Sequence, residues 1–306
     1  MTKLRVLLCL TTRDNDYQRE QAVEAERVAQ SLDIALTIID AGNDAINQSQ
    51  LLLAAIQSKG AKPDAIIFEP VSGTGLPFVA RAAAEAGIGW GILNREAEYL
   101  AELRRVSNSL VFGVGNDHIE VGRIQAAQIK NLLPAGGEVL LIEGPNENAA
   151  AHQRTEGFQE MKAANVTFRR LKGKWSQESG RQAIESWRRL CTSQQAKISA
   201  VVAHNDDMAV GARLASDDLP RKERERWAEI PFIGADGLSK AGQAWIGKGL
   251  LNATVLLSPV SGVALRTAQS ALRSGERPPA YIHVTPFSYP DLLKVSSSSN
   301  GLWGTL

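Results

Sequence analysis

Short unbroken apolar runs recur along this chain, and helical patterns of ten or more residues separate most of them. The runs are RVLLCL (5–10), ALTIID (35–40), AIIFEP (65–70), GWGILN (89–94), LVFGVG (110–115), EVLLIEG (138–144), VTFRRL (166–171), ISAVVAH (198–204), IPFIGAD (230–236) and NATVLL (252–257). An apolar run this short, without polar alternation, marks a strand covered on both faces. YQREQAVEAERVAQSL, QSQLLLAAIQSKG, LPFVARAAAEAG, HIEVGRIQAAQIKNLL and SKAGQAWIGKG carry the helical period between the runs, and Gly60, Gly87 and Gly249 read as helix stops. Buried strands alternating with helices dictate right-handed βαβ units and doubly wound parallel sheets. The alternation runs twice, the first set of strands ending near Val114, so the pattern predicts two α/β lobes.

A chain of 306 residues is long enough for two such lobes. With 34 Lys and Arg against 33 Asp and Glu, the net charge is +1, which gives no broad basic surface for nucleic acid or acidic membrane. No apolar run approaches membrane-spanning length. The start, MTKLRVLLCLTTRDND, has the basic opening of an export signal, but VLLCL is short for its apolar core and no small-residue cleavage site follows. It reads as the first buried strand. The expected location of the chain as written is the cytoplasm, or the periplasm if an export signal precedes it or was removed. Cys9 and Cys191 read as two buried thiols rather than a disulfide. The charged stretch LPRKERERWAEIP reads as a solvated loop or helix.

In open α/β sheets ligands sit beyond the carboxyl ends of the strands. Those ends deliver Thr11 to Gln18, Glu69, Asn94 and Arg95, then Asn146, Asn148, His152 and Arg154, then His204, Asn205, Asp206 and Asp236. These are hydrogen-bonding groups with few nucleophiles among them. No dinucleotide fingerprint, phosphate loop or nucleophile elbow is present. The four histidines, His118, His152, His204 and His283, show no metal spacing, and no cofactor is expected. Asp206 with Glu69 is the carboxylate pair that an enzymatic reading would use. Asn and Asp offer donors and acceptors, Arg a fixed fork of donors, and aromatic rings an apolar cover. That set suits a polyhydroxylated small molecule.

Four elements, in this order, carry a family resemblance: GILNREAE, AHQRTEGFQEM, AHNDDMAVGA and FIGADGLSKAGQAWIGKGLLNATV. Together they resemble the type I periplasmic sugar-binding proteins, whose ligand-binding core the lactose-repressor family shares. The resemblance implies two doubly wound lobes joined by three hinge crossovers, with a sugar or polyol in the interlobe cleft and closure by hinge motion. The lobes are then expected at 1–115 with 258–282 and at 116–257 with 283–306. Carried over by position, the ligand contacts are Asn15 and Tyr17, then Asn94 and Arg95, then Arg154, Trp175, Asn205 and Asp236. Arg13, Glu69 and His152 are further candidates. On this reading Asn205 faces the ligand while Asp206 caps the helix that begins at MAVGARLA. The chain departs from the family where Asn94 replaces the usual acidic neighbour of Arg95, where Leu257 replaces a Gln, and where Gln18 replaces a second aromatic. These changes predict a preferred ligand other than ribose, with an acceptor-rich edge and one less polar side: a deoxy sugar, a modified hexose or an acidic sugar.

The resemblance implies a monomeric solute receptor working with an ABC permease, without turnover. Two other functions fit the residues: a cytoplasmic sugar sensor lacking its own DNA-binding helices, and an enzyme on a similar fold. Neighbouring genes for a permease and an ATPase would separate the first from the others.

Overall fold

The structure is a computed structural model that describes residues 3–14, 16–71, 75–146, 148–190, 196–217 and 219–292. In chain order it runs β1 (Arg5–Leu10), α1 (Asp16–Ser31), β2 (Ala35–Asp40), α2 (Ala45–Gln57), β3 (Ala65–Phe68), α3 (Pro77–Glu85), β4 (Gly89–Leu93), α4 (Tyr99–Val106), β5 (Val111–Asn116) and α5 (His118–Leu132). It continues with β6 (Gly137–Glu143), α6 (Ala149–Met161), β7 (Val166–Lys172), α7 (Gln177–Arg188), β8 (Ile198–Ala203), α8 (Asp206–Leu214), α9 (Arg221–Glu229), β9 (Phe232–Ile233), α10 (Gly242–Gly247) and β10 (Thr254–Leu256). Helix α11 (Ser261–Ser274) and strands β11 (Tyr281–Val284) and β12 (Phe287–Tyr289) follow.

The chain divides into two compact units. The first holds the chain up to Asn116 together with Ser258–Val284, and the second holds Asp117–Leu257 together with the segment from Thr285. The chain therefore passes between units after Asn116, after Leu257 and after Val284.

In the first unit one parallel sheet has the order β11-β5-β4-β3-β1-β2. Every residue of β3, β4 and β5 is buried, as a strand covered by helices on both faces must be, whereas edge strand β2 is only partly covered. Two apolar layers flank the sheet. Val6, Leu8, Leu10, Phe112 and Val114 meet α1 and α11, and Leu7, Ile66, Phe68 and Trp90 meet α2, α3 and α4.

In the second unit the parallel order is β7-β6-β8-β9. Parallel bridges from Ile233 to Ala253 and from Asp236 to Leu256 bring β10 alongside, and β12 closes against β10 antiparallel. Edge strand β7 is largely exposed beyond Val166, and its Arg169 and Arg170 pair with Glu138 and Glu143 of β6. In both units the strand order reverses direction beside the first strand, between β1 and β3 and between β6 and β8. That switch point is where loops diverge and leave a crevice at the carboxyl ends.

Local signals start the helices. Asp44 caps α2, Asp117 caps α5, Asn148 caps α6, and Ser176 with Ser179 forms a capping box on α7. Gly87 and Gly249 follow their helices with positive φ, as read from the sequence, but Gly60 does not close α2. That helix ends at Gln57, where Ser58 turns extended. The charged stretch after Pro220 is helix α9, pinned by the buried Trp227. Cys9 is buried in β1 and free, and Cys191 lies outside the described residues.

Candidate functional site

In the first unit a polar set gathers at the switch point. Gln18, buried at the start of α1, donates from Nε2 to Glu69 Oε2 at 2.8 Å and accepts from Thr11 N at 3.4 Å. Glu69 follows β3 and is half-buried. Burial raises its carboxyl pKa above the usual carboxylate range, and hydrogen bonds from Gln18 and Asn94 and the charge of Arg95 oppose the rise. The Tyr17 hydroxyl is approached by three amide donors: Gln21 Nε2 at 2.9 Å, Asn94 Nδ2 at 3.0 Å and Asn116 Nδ2 at 3.3 Å. Asn94 stands immediately after β4 with φ 53°, a left-handed conformation that Asn tolerates better than most residues. The side-chain oxygens of Asn94 and Asn116 are enclosed and accept no hydrogen bond among the described residues. A buried carbonyl oxygen without a donor is costly.

The structure thus brings Tyr17, Glu69, Asn94 and Arg95 together and adds Gln18 and Asn116. It does not bring in Arg13. That side chain is exposed, 3.4 Å from Asp40 and hydrogen-bonded to Ile38 O, on the outer edge strand β2. Asn15 lies outside the described residues.

In the second unit the set is built on a close helix pair. A Cβ on Gly122 of α5 would fall 2.0 Å from Arg154 O, and one on Gly157 of α6 would fall 1.9 Å from Ile119 O. Only glycines let α5 and α6 pack this tightly, and the contact sets the buried Arg154 beside His118 at the head of α5. Arg154 Nε donates to His118 Nδ1 at 3.4 Å, Nη1 donates to the carbonyl of His204, and Nη2 lies 3.8 Å from Asp236 Oδ1. The Trp175 ring lies over the guanidinium at 5.5 Å and stacks near His204, with ring centroids 6.3 Å apart.

Behind Arg154 runs a buried relay. Gly144 N donates to His204 Nδ1 at 3.1 Å, which leaves the ring proton on Nε2, 3.4 Å from Thr155 Oγ1. Thr155 Oγ1 in turn donates to Glu143 Oε1 at 2.6 Å, and Arg170 Nε donates to the same oxygen at 2.6 Å. Both His204 and His118 accept at Nδ1 and so are neutral. Burial first, then the charge of Arg154, holds both pKa values well below the usual imidazole range.

Asn205 takes the capping role expected of Asp206. Asn205 is the cap of α8, its Oδ1 accepting from Met208 N at 3.0 Å, while its Nδ2 donates to Trp175 O at 3.2 Å. Asp206 is the first helical residue, too far along to cap. Its carboxylate accepts from Gly237 N at 2.8 Å and Thr254 Oγ1 at 2.6 Å, tying α8 to the Asp236 loop and β10. Burial and then repulsion from Asp236 raise its pKa well above the usual value.

Arg154, Trp175, Asn205 and Asp236 are therefore brought together. His152 is not: it is exposed on α6 and contacts Asn146 O. The sequence reading missed His118, Glu143, Thr155 and Arg170. Among the described residues, no group of three or more His, Cys, Asp or Glu could hold a metal ion, and no helix is long and apolar enough to cross a membrane.

A family model described as periplasmic binding protein domain matches residues 6–276. A putative rhizopine-binding protein of Rhizobium meliloti is 29% identical over 193 residues, covering 61% of this chain and 59% of that protein. The ribose import binding protein of Escherichia coli is 24% identical over 291 residues, covering 90% of this chain and 87% of that one. Among solved structures, an ABC transporter periplasmic solute binding protein from Actinobacillus succinogenes with bound D-allose superposes with a TM-score of 0.82 at 20% identity, covering 95% of this chain and 100% of the other.

Proposed function

The chain belongs to the periplasmic binding protein domain family, and from that premise we propose that it binds a neutral sugar or polyol without turning it over, as the solute-binding component of an ABC-type uptake system. The observation that carries the neutral ligand is charge compensation within each polar set. Arg154 has Asp236 at 3.8 Å, and the charge of Arg95 acts on Glu69. An arginine already matched by a carboxylate does not need an anionic ligand to offset its burial. Of the ligands expected from the sequence, this favours a deoxy sugar or modified hexose over an acidic sugar. The enclosed oxygens of Asn94 and Asn116 favour hydroxyl donors, as a polyol supplies. Trp175 supplies an apolar face for C–H groups.

Relatives give the same direction: the Escherichia coli protein is named for ribose, and others for xylitol and D-allose. In this proposal the polar groups of each set hydrogen-bond hydroxyls of the ligand. The receptor acts as a monomer in the periplasm and hands its solute to a permease.

Calorimetry tests this with whichever of D-allose, D-ribose, xylitol and myo-inositol the native chain binds most tightly. Arg95→Ala and Asp236→Ala should each weaken binding by about 2–4 kcal/mol, since each leaves buried polar groups without a partner. Unchanged affinity in both variants would refute the assignment. Recovery of a chemically altered sugar would refute binding without turnover.

A further inference from the structure

Strand β5 reads VFGVGN, and its two glycines are paired with β11, Gly113 with Tyr281 and Gly115 with His283. A Cβ on Gly113 would lie 2.3 Å from Tyr281 Cδ2, and one on Gly115 would lie 2.0 Å from Tyr281 Oη. Neither position has room for a side chain while the ring is there. The ring starts beside Gly113 and runs two residues along β5 toward its carboxyl end, where the hydroxyl arrives. The Cβ site on Gly115 is also 3.1 Å from Asn94 Cα, so the phenol is delivered to the polar set of the first unit.

The electrostatic surroundings of the phenol agree with that placement. The charges of Glu96, Glu69 and Arg95 all act on it. Burial and the two carboxylates hold its pKa above the usual phenol value, so it stays an O–H donor. The His283 ring lies 4.8 Å away, centroid to centroid.

Packing alone does not require this hydroxyl. Tyr99 uses its own hydroxyl fully, donating to Gly75 O at 2.5 Å and accepting from Trp90 Nε1 at 3.0 Å. Tyr17 receives three amides. The Tyr281 hydroxyl makes no hydrogen bond among the described residues, and the ring of Phe would still fill the slot at Gly113. The polar set that the phenol reaches also holds two enclosed oxygens, on Asn94 and Asn116, that accept no hydrogen bond among the described residues. An unused O–H donor delivered to that set matches a ligand hydroxyl, whose oxygen accepts from it.

We propose that Tyr281 is a ligand-contacting, specificity-determining residue whose hydroxyl donates to a hydroxyl oxygen of the bound sugar or polyol. This rests on the proposed function. The test is Tyr281→Phe in the full chain, with calorimetry on D-allose, D-ribose, xylitol and myo-inositol and thermal melting without ligand. The expected result is a Kd raised about tenfold for the tightest-binding probe, with the ligand-free melting midpoint unchanged. Equal affinity in variant and native chains overturns the role of Tyr281 and leaves the functional reading standing. A lowered ligand-free melting midpoint with unchanged affinity assigns the hydroxyl to stability alone and also overturns it. If the native chain binds none of the four, the functional reading fails and this inference with it.

Discussion

Thr155→Val isolates the buried relay behind Arg154. Valine matches threonine in shape, so no cavity opens and no helix is disturbed. Two interactions disappear. The Thr155 Oγ1 hydrogen bond to Glu143 Oε1, at 2.6 Å, involves a charged acceptor and contributes about 1.5–3 kcal/mol. The His204 Nε2–H, 3.4 Å from the same hydroxyl and wholly buried, loses its acceptor, which costs about 1 kcal/mol more at that long distance. The second unit should therefore lose about 2.5–4 kcal/mol. Thr155→Ser keeps the hydroxyl and should lose only about 1 kcal/mol for one methyl. Urea unfolding followed by tryptophan emission suits the test, because Trp175, Trp187, Trp227 and Trp245 belong to the second unit and, among the described residues, only Trp90 to the first. A Val variant within about 0.5 kcal/mol of the native chain, the range of a neutral surface change, would refute the relay. So would a Ser variant as weak as the Val variant.

The neutral state of His204 has a consequence for pH. An unfolded chain's imidazole takes up a proton near the ordinary value of 6.5, while the folded His204 resists it. The unfolded state then binds more protons below that pH, and stability falls as pH drops. His204→Gln removes this contribution, so below pH 6.5 native stability should fall more steeply than the variant's, by a difference that grows to about 1.4 kcal/mol per pH unit near pH 5, and equal slopes would contradict it. At the helix contact, Gly157→Ala places a methyl 1.9 Å from Ile119 O. It should cost about 3 kcal/mol in chemical unfolding, whereas Gly247→Ala in α10, with open space around it, should be neutral within about 0.5 kcal/mol.

The alternation of buried runs and helices made both parallel sheets legible, because strands covered on two faces leave an unbroken apolar signature. Elements lacking that signature went unread. β11 is a half-exposed edge strand, β12 has 3 residues, and α4 is a short charged helix. Residue roles at the start of α8 were harder to assign, since Asn205 and Asp206 fit a capping position equally and a one-residue shift decides between them. The relay was invisible for another reason. His118, Glu143, Thr155, Arg170 and His204 come from separate elements, and no spacing in the chain links them. Tyr281 was missed because its partner signal is the pair of glycines on β5, which read from sequence as ordinary strand residues.

Binding of a neutral polyol is the central claim, and calorimetry of the native chain against D-allose, D-ribose, xylitol, myo-inositol and D-glucuronate tests it most directly. One neutral compound other than ribose should bind most tightly, with a Kd of about 1 μM or below, and D-glucuronate should bind far more weakly. Tightest binding of the acid, or no binding of any neutral compound, would contradict the account.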